Sequence, residues 1–336
     1  MSDTAEGATK GGNLLRYGCF GCLGVIGFAL ICMVGVAGMA YMQVRNEEVA
    51  KETERPDLPA GALPVAGGSQ GGGTSGAVGA MPDERPQATR GAARSAETVA
   101  GTVILDLTQG EFEVVPGQPG EGLSVDATYD RKSYVLEKTL DATDDGSWTY
   151  TVRFRRTSGG SGLGLFDAIK RMLGGSRPSV RVTLPADQFL DLQVNMAQGG
   201  TRMDLGGLWL REAEIEFAQG GFQLRVSEPL QMPMERLTID GRMGGFDASH
   251  LGNASPKTLD VDFTMGGMSL DLRGAWAADA DISIKTSMSG GVVRVPDDVI
   301  IEGLSVPGRP ANPSAELQPP TLHFSSSSSM GDLQFR

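Results

Sequence analysis

The chain has few of the residues that carry most enzyme chemistry. Among 336 residues there are two histidines, His250 and His323, and three cysteines, Cys19, Cys22 and Cys32. The cysteines all fall in one apolar segment, so the long remainder can form no disulfide and has no thiolate to offer a metal. A zinc, haem or iron–sulfur centre therefore lacks ligands, and no cofactor is expected. Positive charge is also scarce: 29 Lys and Arg against 41 Asp and Glu leave a net charge of -12, which argues against nucleic acid as a partner. No nucleophile elbow, Ser–His–Asp arrangement or phosphate-binding loop can be read, and aromatics make up only 6%.

Glycine, by contrast, is abundant at 48 residues, which favours short strands and tight turns over long helices. The apolar material is concentrated at two places. The first is Tyr17 to Met42, YGCFGCLGVIGFALICMVGVAGMAYM, 26 residues without a charge. About 20 residues cross a hydrocarbon core, so residues 17–42 are expected to span the lipid bilayer as a single helix behind a tail of residues 1–16. Tyr17 and Tyr41 stand at its ends as interfacial anchors. A cleaved signal peptide is the competing reading, but its apolar core would be 7 to 15 residues. Gly18, Gly21, Gly24 and Gly27 could let such helices pack together as a homo-oligomer, and Cys19 and Cys22 at the bilayer edge suit acylation or small-residue packing better than redox work. Basic residues flank both ends and do not fix the orientation. The short tail and the kind of domain that follows favour a bacterial inner-membrane protein with its C-terminal part periplasmic or extracellular.

Residues 43–100 contain PAGALPVAGGSQGGGTSGAVGAMPDERPQATRGAARSAE and are expected to form a disordered Gly/Pro/Ala-rich linker, because such a composition buries too little apolar surface to offset chain entropy. A tether of this length has an r.m.s. reach of roughly 40 Å. Folded sequence is expected over 101–336, with strand-like alternation at VILDLTQGEFEVVPG, LSVDATY, SWTYTVRF and SVRVTLP.

A repeat then sets in. Five times an alternating apolar stretch runs into a small-residue/Gly pair and out into a second such stretch, the pairs ending at Gly200, Gly221, Gly245, Gly267 and Gly290, 21 to 24 residues apart. LDVDFTMGGMSLDL is the clearest copy: Leu259, Val261, Phe263 and Met265 form one apolar face, then Met268, Leu270 and Leu272 another. The inward set changes parity at each pair, which requires a turn or bulge there, and these glycines are expected to supply it. Two chain paths satisfy the pattern, a two-residue hairpin in a meander or the corner of a β-solenoid coil.

The LDLQV-x-GG-x-LDL rung, the VRVTLP strand ahead of it and the closing MSGGVVRVPDDV resemble the bacterial putative-adhesin superfamily, the toast-rack type of domain found at the C-terminal end of membrane regulators of the cell-envelope stress response. The resemblance implies an all-β, single-chain β-solenoid with rungs of about 22 residues and a binding or scaffolding role without a catalytic motif. This sequence departs from the pattern at an insertion, 162–175, and at a Pro-rich excursion, 306–320.

The insertion GLGLFDAIKRMLGG reads as a short amphipathic helix. Leu165, Phe166, Ile169, Met172 and Leu173 lie on one face and Asp167, Lys170 and Arg171 on the other. With Arg153, Arg155, Arg156, Arg177 and Arg181 nearby, it either docks on a membrane or partner groove or caps an open end of the β-stack. Asp204 and Asp271 follow glycine pairs as in calcium-binding rolls, but the nine-residue period is missing and solvated outward aspartates are the expectation. The sequence thus points to non-enzymatic binding or scaffolding at the cell envelope, with an envelope polymer or a membrane protein as partner. A regulatory module of a membrane stress-signalling system is the alternative, and a polysaccharide-active β-solenoid enzyme the third reading.

Overall fold

The computed structural model describes residues 49–59, 101–144, 146–157, 177–305 and 319–336. The expected spanning segment 17–42, the tail 1–16, the insertion 162–175 and most of the excursion 306–320 lie outside them. Among the described residues no helix is long and apolar enough to cross a membrane. The architecture is all-β.

The spine is made of long strands that pair in parallel in sequence order. These are β2 (Gly101–Pro116), β7 (Phe189–Asp204), β8 (Trp209–Arg225), β9 (Arg236–Ser249) and β10 (Thr258–Asp271). The ladder then divides. The first half of β10 pairs with β11 (Ala280–Ser287), which pairs with β14 (Thr321–Ser329); β13 (Ile300–Glu302) pairs with β14. The second half pairs with β12 (Ser289–Arg294), which pairs with β15 (Leu333–Phe335). Each neighbour runs parallel on both sides of the glycine pair, so the chain passes through the pair without reversing. A hairpin, which requires antiparallel neighbours, is excluded.

In-register stacking turns the repeat into columns of buried side chains. Val194, Ile215, Ile239, Val261 and Ile284 form one such column before the bend, and Met203, Leu224, Ala248, Leu270 and Val293 form another after it. Between them Phe217, Phe222, Phe246 and Phe263 pack ring on ring, with centroids 5.0 to 6.3 Å apart. Gly241 interrupts the column Met196, Phe217, Phe263, because a Cβ there would strike both phenylalanine rings. Met265 departs from the expected apolar face. It is exposed, since the strand has already begun to bend after Phe263.

The other end of the spine is built from two arms on β2. Its first half pairs in parallel with β5 (Trp148–Arg156), which carries β4 (Tyr134–Ala142) antiparallel. Its second half pairs with β6 (Ser179–Leu184), followed outward by antiparallel β3 (Ser124–Asp130) and antiparallel β1 (Val49–Glu54). Strand β1 corrects the reading of 43–100 as linker throughout: VAKETE is part of the sheet. It has one buried apolar side chain, Ala50, and is fixed by six main-chain partners and by its acids. Glu52 accepts hydrogen bonds from the Tyr129 hydroxyl and the Arg131 guanidinium, both at 2.9 Å, and Glu54 pairs with Lys138 at 2.6 Å. Residues 43–48 and 60–100 lie outside the described set.

Candidate functional site

The stacking brings the five glycines named from the sequence, Gly200, Gly221, Gly245, Gly267 and Gly290, into a single column across adjacent strands. With strands roughly 4.8 Å apart, the column is about 19 Å long. It is flanked by the row Arg202, Gln223, Asp247, Ser269, one residue pair further along the same strands. Together these residues line a groove of about 910 Å³. Glu111, aligned with Gly200, closes one end and is held by Arg177 at 2.9 Å; Asp332 lines the other end.

The role of these glycines differs from the expectation. The strand is bent by the residue before each: Gly199, Gly220, Gly244 and Gly266 have φ of 141°, 129°, 132° and 131°. A Cβ on Gly220 would collide with the carbonyl oxygen of Gly199, and the same relation repeats from rung to rung. In the fifth rung Ser289 takes the place of the first glycine and the left-handed residue is Met288, φ 52°, one position earlier. Gly200, Gly221, Gly245 and Gly267 are not among the positive-φ residues, and a Cβ on any of them would meet nothing within 4 Å. Corner geometry therefore demands the first glycine and leaves the second free. The second glycine's effect is to keep the groove floor bare.

Chemically the groove offers exposed backbone, the amides of Gln223 and Gln334, the Ser269 hydroxyl, carboxylates and one guanidinium. Counted in strand spacings, Asp247 stands about 14 Å from both Glu111 and Asp332. Carboxylate pairs that hydrolyse glycosides are about 5 to 9.5 Å apart, so these acids are too far apart to act on one bond.

Other residues singled out from the sequence do not join this site. Asp204 accepts from the amides of Gly206 and Ser227 at 3.0 and 3.1 Å, which locks the turn between rungs. Asp271 is only 5% exposed and holds the Arg273 guanidinium at 2.7 Å. Burial would raise its pKa, but the side-chain and backbone hydrogen bonds from Arg273 prevail and lower it. Neither is the solvated outward aspartate that the spacing predicted. His323 sits 3.1 Å from Glu302, while His250 precedes a single helical turn in left-handed geometry. Of the basic residues around the insertion, Arg155, Arg177 and Arg181 each face a glutamate, which weakens the local positive field. Leu165, Phe166, Ile169, Lys170, Arg171, Met172 and Leu173 of the insertion itself lie outside the described residues.

The fold defines an all-β protein of in-register parallel rungs. Among solved structures, a putative cell adhesion protein from Clostridium sporogenes is similar at 11% identity and a TM-score of 0.45, over 86% of this chain and 99% of that one. A putative adhesin from Bacteroides fragilis is similar at 7% identity and a TM-score of 0.34, over 71% of this chain and 93% of that one. No protein-family profile and no curated protein sequence matches the chain.

Proposed function

We propose that this chain is a membrane-anchored, non-enzymatic binding and scaffolding protein of the bacterial cell envelope. In this reading residues 17–42 anchor it in the inner membrane, and the rungs form a toast-rack β-solenoid outside the cytoplasm. The groove holds an extended, hydroxyl-rich polymer such as an envelope glycan. The observation that carries the proposal is the column of glycines that no backbone strain or packing requires. A bare floor about 19 Å long admits a chain lying across the strands, and the amide, hydroxyl and carboxylate row beside it can bond to successive sugar hydroxyls. Asp247 and Asp332, away from the Arg202 end, disfavour a polyanion along most of the floor.

The test is co-sedimentation of residues 43–336, which retain β1, with insoluble envelope glycan. Gly221→Gln and Gly245→Gln together place two side chains on the floor where the space is open. Loss of sedimentation with an unchanged thermal midpoint is the expected outcome; equal binding by the filled variant would overturn the polymer reading. A regulatory role for a membrane partner is the second reading, favoured by one feature. Strand β1 begins at Val49, so only residues 43–48 separate it from the apolar segment, and in this reading that short link keeps the domain beside the bilayer.

A further inference from the structure

We propose that Met243, Met265, Met288 and Met330 form a thioether site for a soft monovalent metal ion, Cu(I). Five large hydrophobic residues are exposed among the described residues, and four of them are these methionines, at 45%, 38%, 44% and 77% exposure. They occupy one position in four successive rungs. Met243 and Met265 are direct partners, and the pairs on either side align Met265 with Met288 and Met288 with Met330. In the earlier rungs the same column is polar: Gln109, Gln198 and Gln219.

Two features point to sulfur as the property retained. An apolar docking ridge would use leucine, isoleucine or phenylalanine as readily as methionine, yet none of these is exposed among the described residues. In addition, Met288 and Met330 are held at φ 52° and 54°, a left-handed conformation that costs a non-glycine residue roughly 1–2 kcal/mol and suits glycine or asparagine. Strain of this kind concentrates where the side chain has work to do.

The chemistry follows from the donors. Thioether sulfur is a soft, uncharged ligand that selects Cu(I) over the hard and borderline divalent ions. Neighbouring strands set the methionines about 4.8 Å apart, and an unbranched side chain with three rotatable bonds lets sulfurs of adjacent rungs converge on one small ion. Met265, Met288 and Met330 supply a three-sulfur set, with Met243 beside Arg242 at the far end. Thioethers do not titrate, so binding persists at pH 5, where sites built on histidine or cysteine weaken.

The experiment uses the full chain in detergent with Cys19, Cys22 and Cys32 changed to serine, so that no thiolate competes. Cu(I) is presented anaerobically as its bathocuproine disulfonate complex, and transfer to protein is followed by loss of the complex's colour at pH 7 and pH 5. Transfer of one Cu(I) per chain at both pH values is expected, with sulfur-only scattering in the copper X-ray absorption spectrum. Changing all four methionines to leucine keeps the apolar bulk and leaves the thermal midpoint in place, and it should abolish transfer. No transfer to the parent protein, equal transfer to the leucine variant, or nitrogen and oxygen scatterers at the metal would each overturn the site. Glycan binding through the groove is unaffected by the leucine changes, so the two proposals fail independently.

Discussion

Two adjacent glycines with the same chemistry have opposite duties. At Gly220 the backbone is left-handed and the carbonyl of Gly199 fills the place a Cβ would take; at Gly221 that place is empty. Gly220→Ala must move one rung against the next and is expected to cost about 2 kcal/mol or more, whereas Gly221→Ala stays within about 0.5 kcal/mol of the parent. Urea unfolding midpoints of the two variants decide it, and similar losses in both would refute the division of roles. The pair itself was plain in the sequence, as a small residue and a glycine at a parity change. Which member bends the chain was not, because that depends on how closely the preceding rung's carbonyl approaches, a distance between residues some 21 positions apart.

Among the elements, β1 shows most clearly where sequence reading loses its grip. The long rungs were legible because their stabilisation is apolar and periodic: Leu190, Leu192, Val194, Ile215, Phe217, Leu237, Ile239, Leu259 and Val261 are all buried as the alternation predicts. VAKETE carries no such signal. Its attachment comes from the main-chain ladder to β3 and from Glu52 and Glu54, which face Tyr129, Arg131, Lys138 and Tyr150 on elements far along the chain. That kind of attachment responds to pH. Partial burial alone would raise the Glu52 pKa, but the Tyr129 and Arg131 hydrogen bonds and the nearby Lys138 and Arg131 charges bring it below its usual 4.5. A depressed folded pKa means stabilisation that is complete above the unfolded value and lost as pH falls through the folded one, so β1 loosens below about pH 4.5. At the alkaline side, burial and then the Glu52 carboxylate push Tyr129 up to about 12. Its contribution is complete below the usual 10.0 and is lost as pH rises through about 12. The protection factors of the Ala50 to Thr53 amides, taken against the intrinsic exchange rate at each pH, should therefore fall in acid, and Glu52→Gln should remove most of the acid-side dependence and weaken β1 by about 1–2 kcal/mol. Unchanged protection factors between pH 3 and pH 6 would contradict this account.

For the whole molecule, β1 changes what the Gly/Pro/Ala-rich stretch can do. A free tether from residue 43 to residue 100 would let the rungs stand tens of ångströms from the proposed anchor at residues 17–42. With Val49–Glu54 in the sheet, only six residues separate the apolar segment from the fold, and at no more than about 3.6 Å each they span roughly 22 Å. Residues 60–100 then join two strands of one sheet, β1 and β2, and the proposed anchoring does not run through them. This has a direct consequence for cleavage. A protease site inserted near residue 70 and cut in the purified full chain should leave the 1–70 fragment bound to the remainder at pH 7, through the β1–β3 ladder and the Glu52 and Glu54 ion pairs. The same cut should release it when Lys138→Glu and Arg131→Glu reverse the charges that hold those acids. If the fragment separates at once from the unmutated protein, the linker alone joins residues 1–70 to the rungs and the sheet does not hold them. If it stays bound until pH is lowered below about 4.5, the loss of Glu52 ionisation is what frees it, and the proposed anchor at residues 17–42 is joined to the fold through residues 43–48 alone.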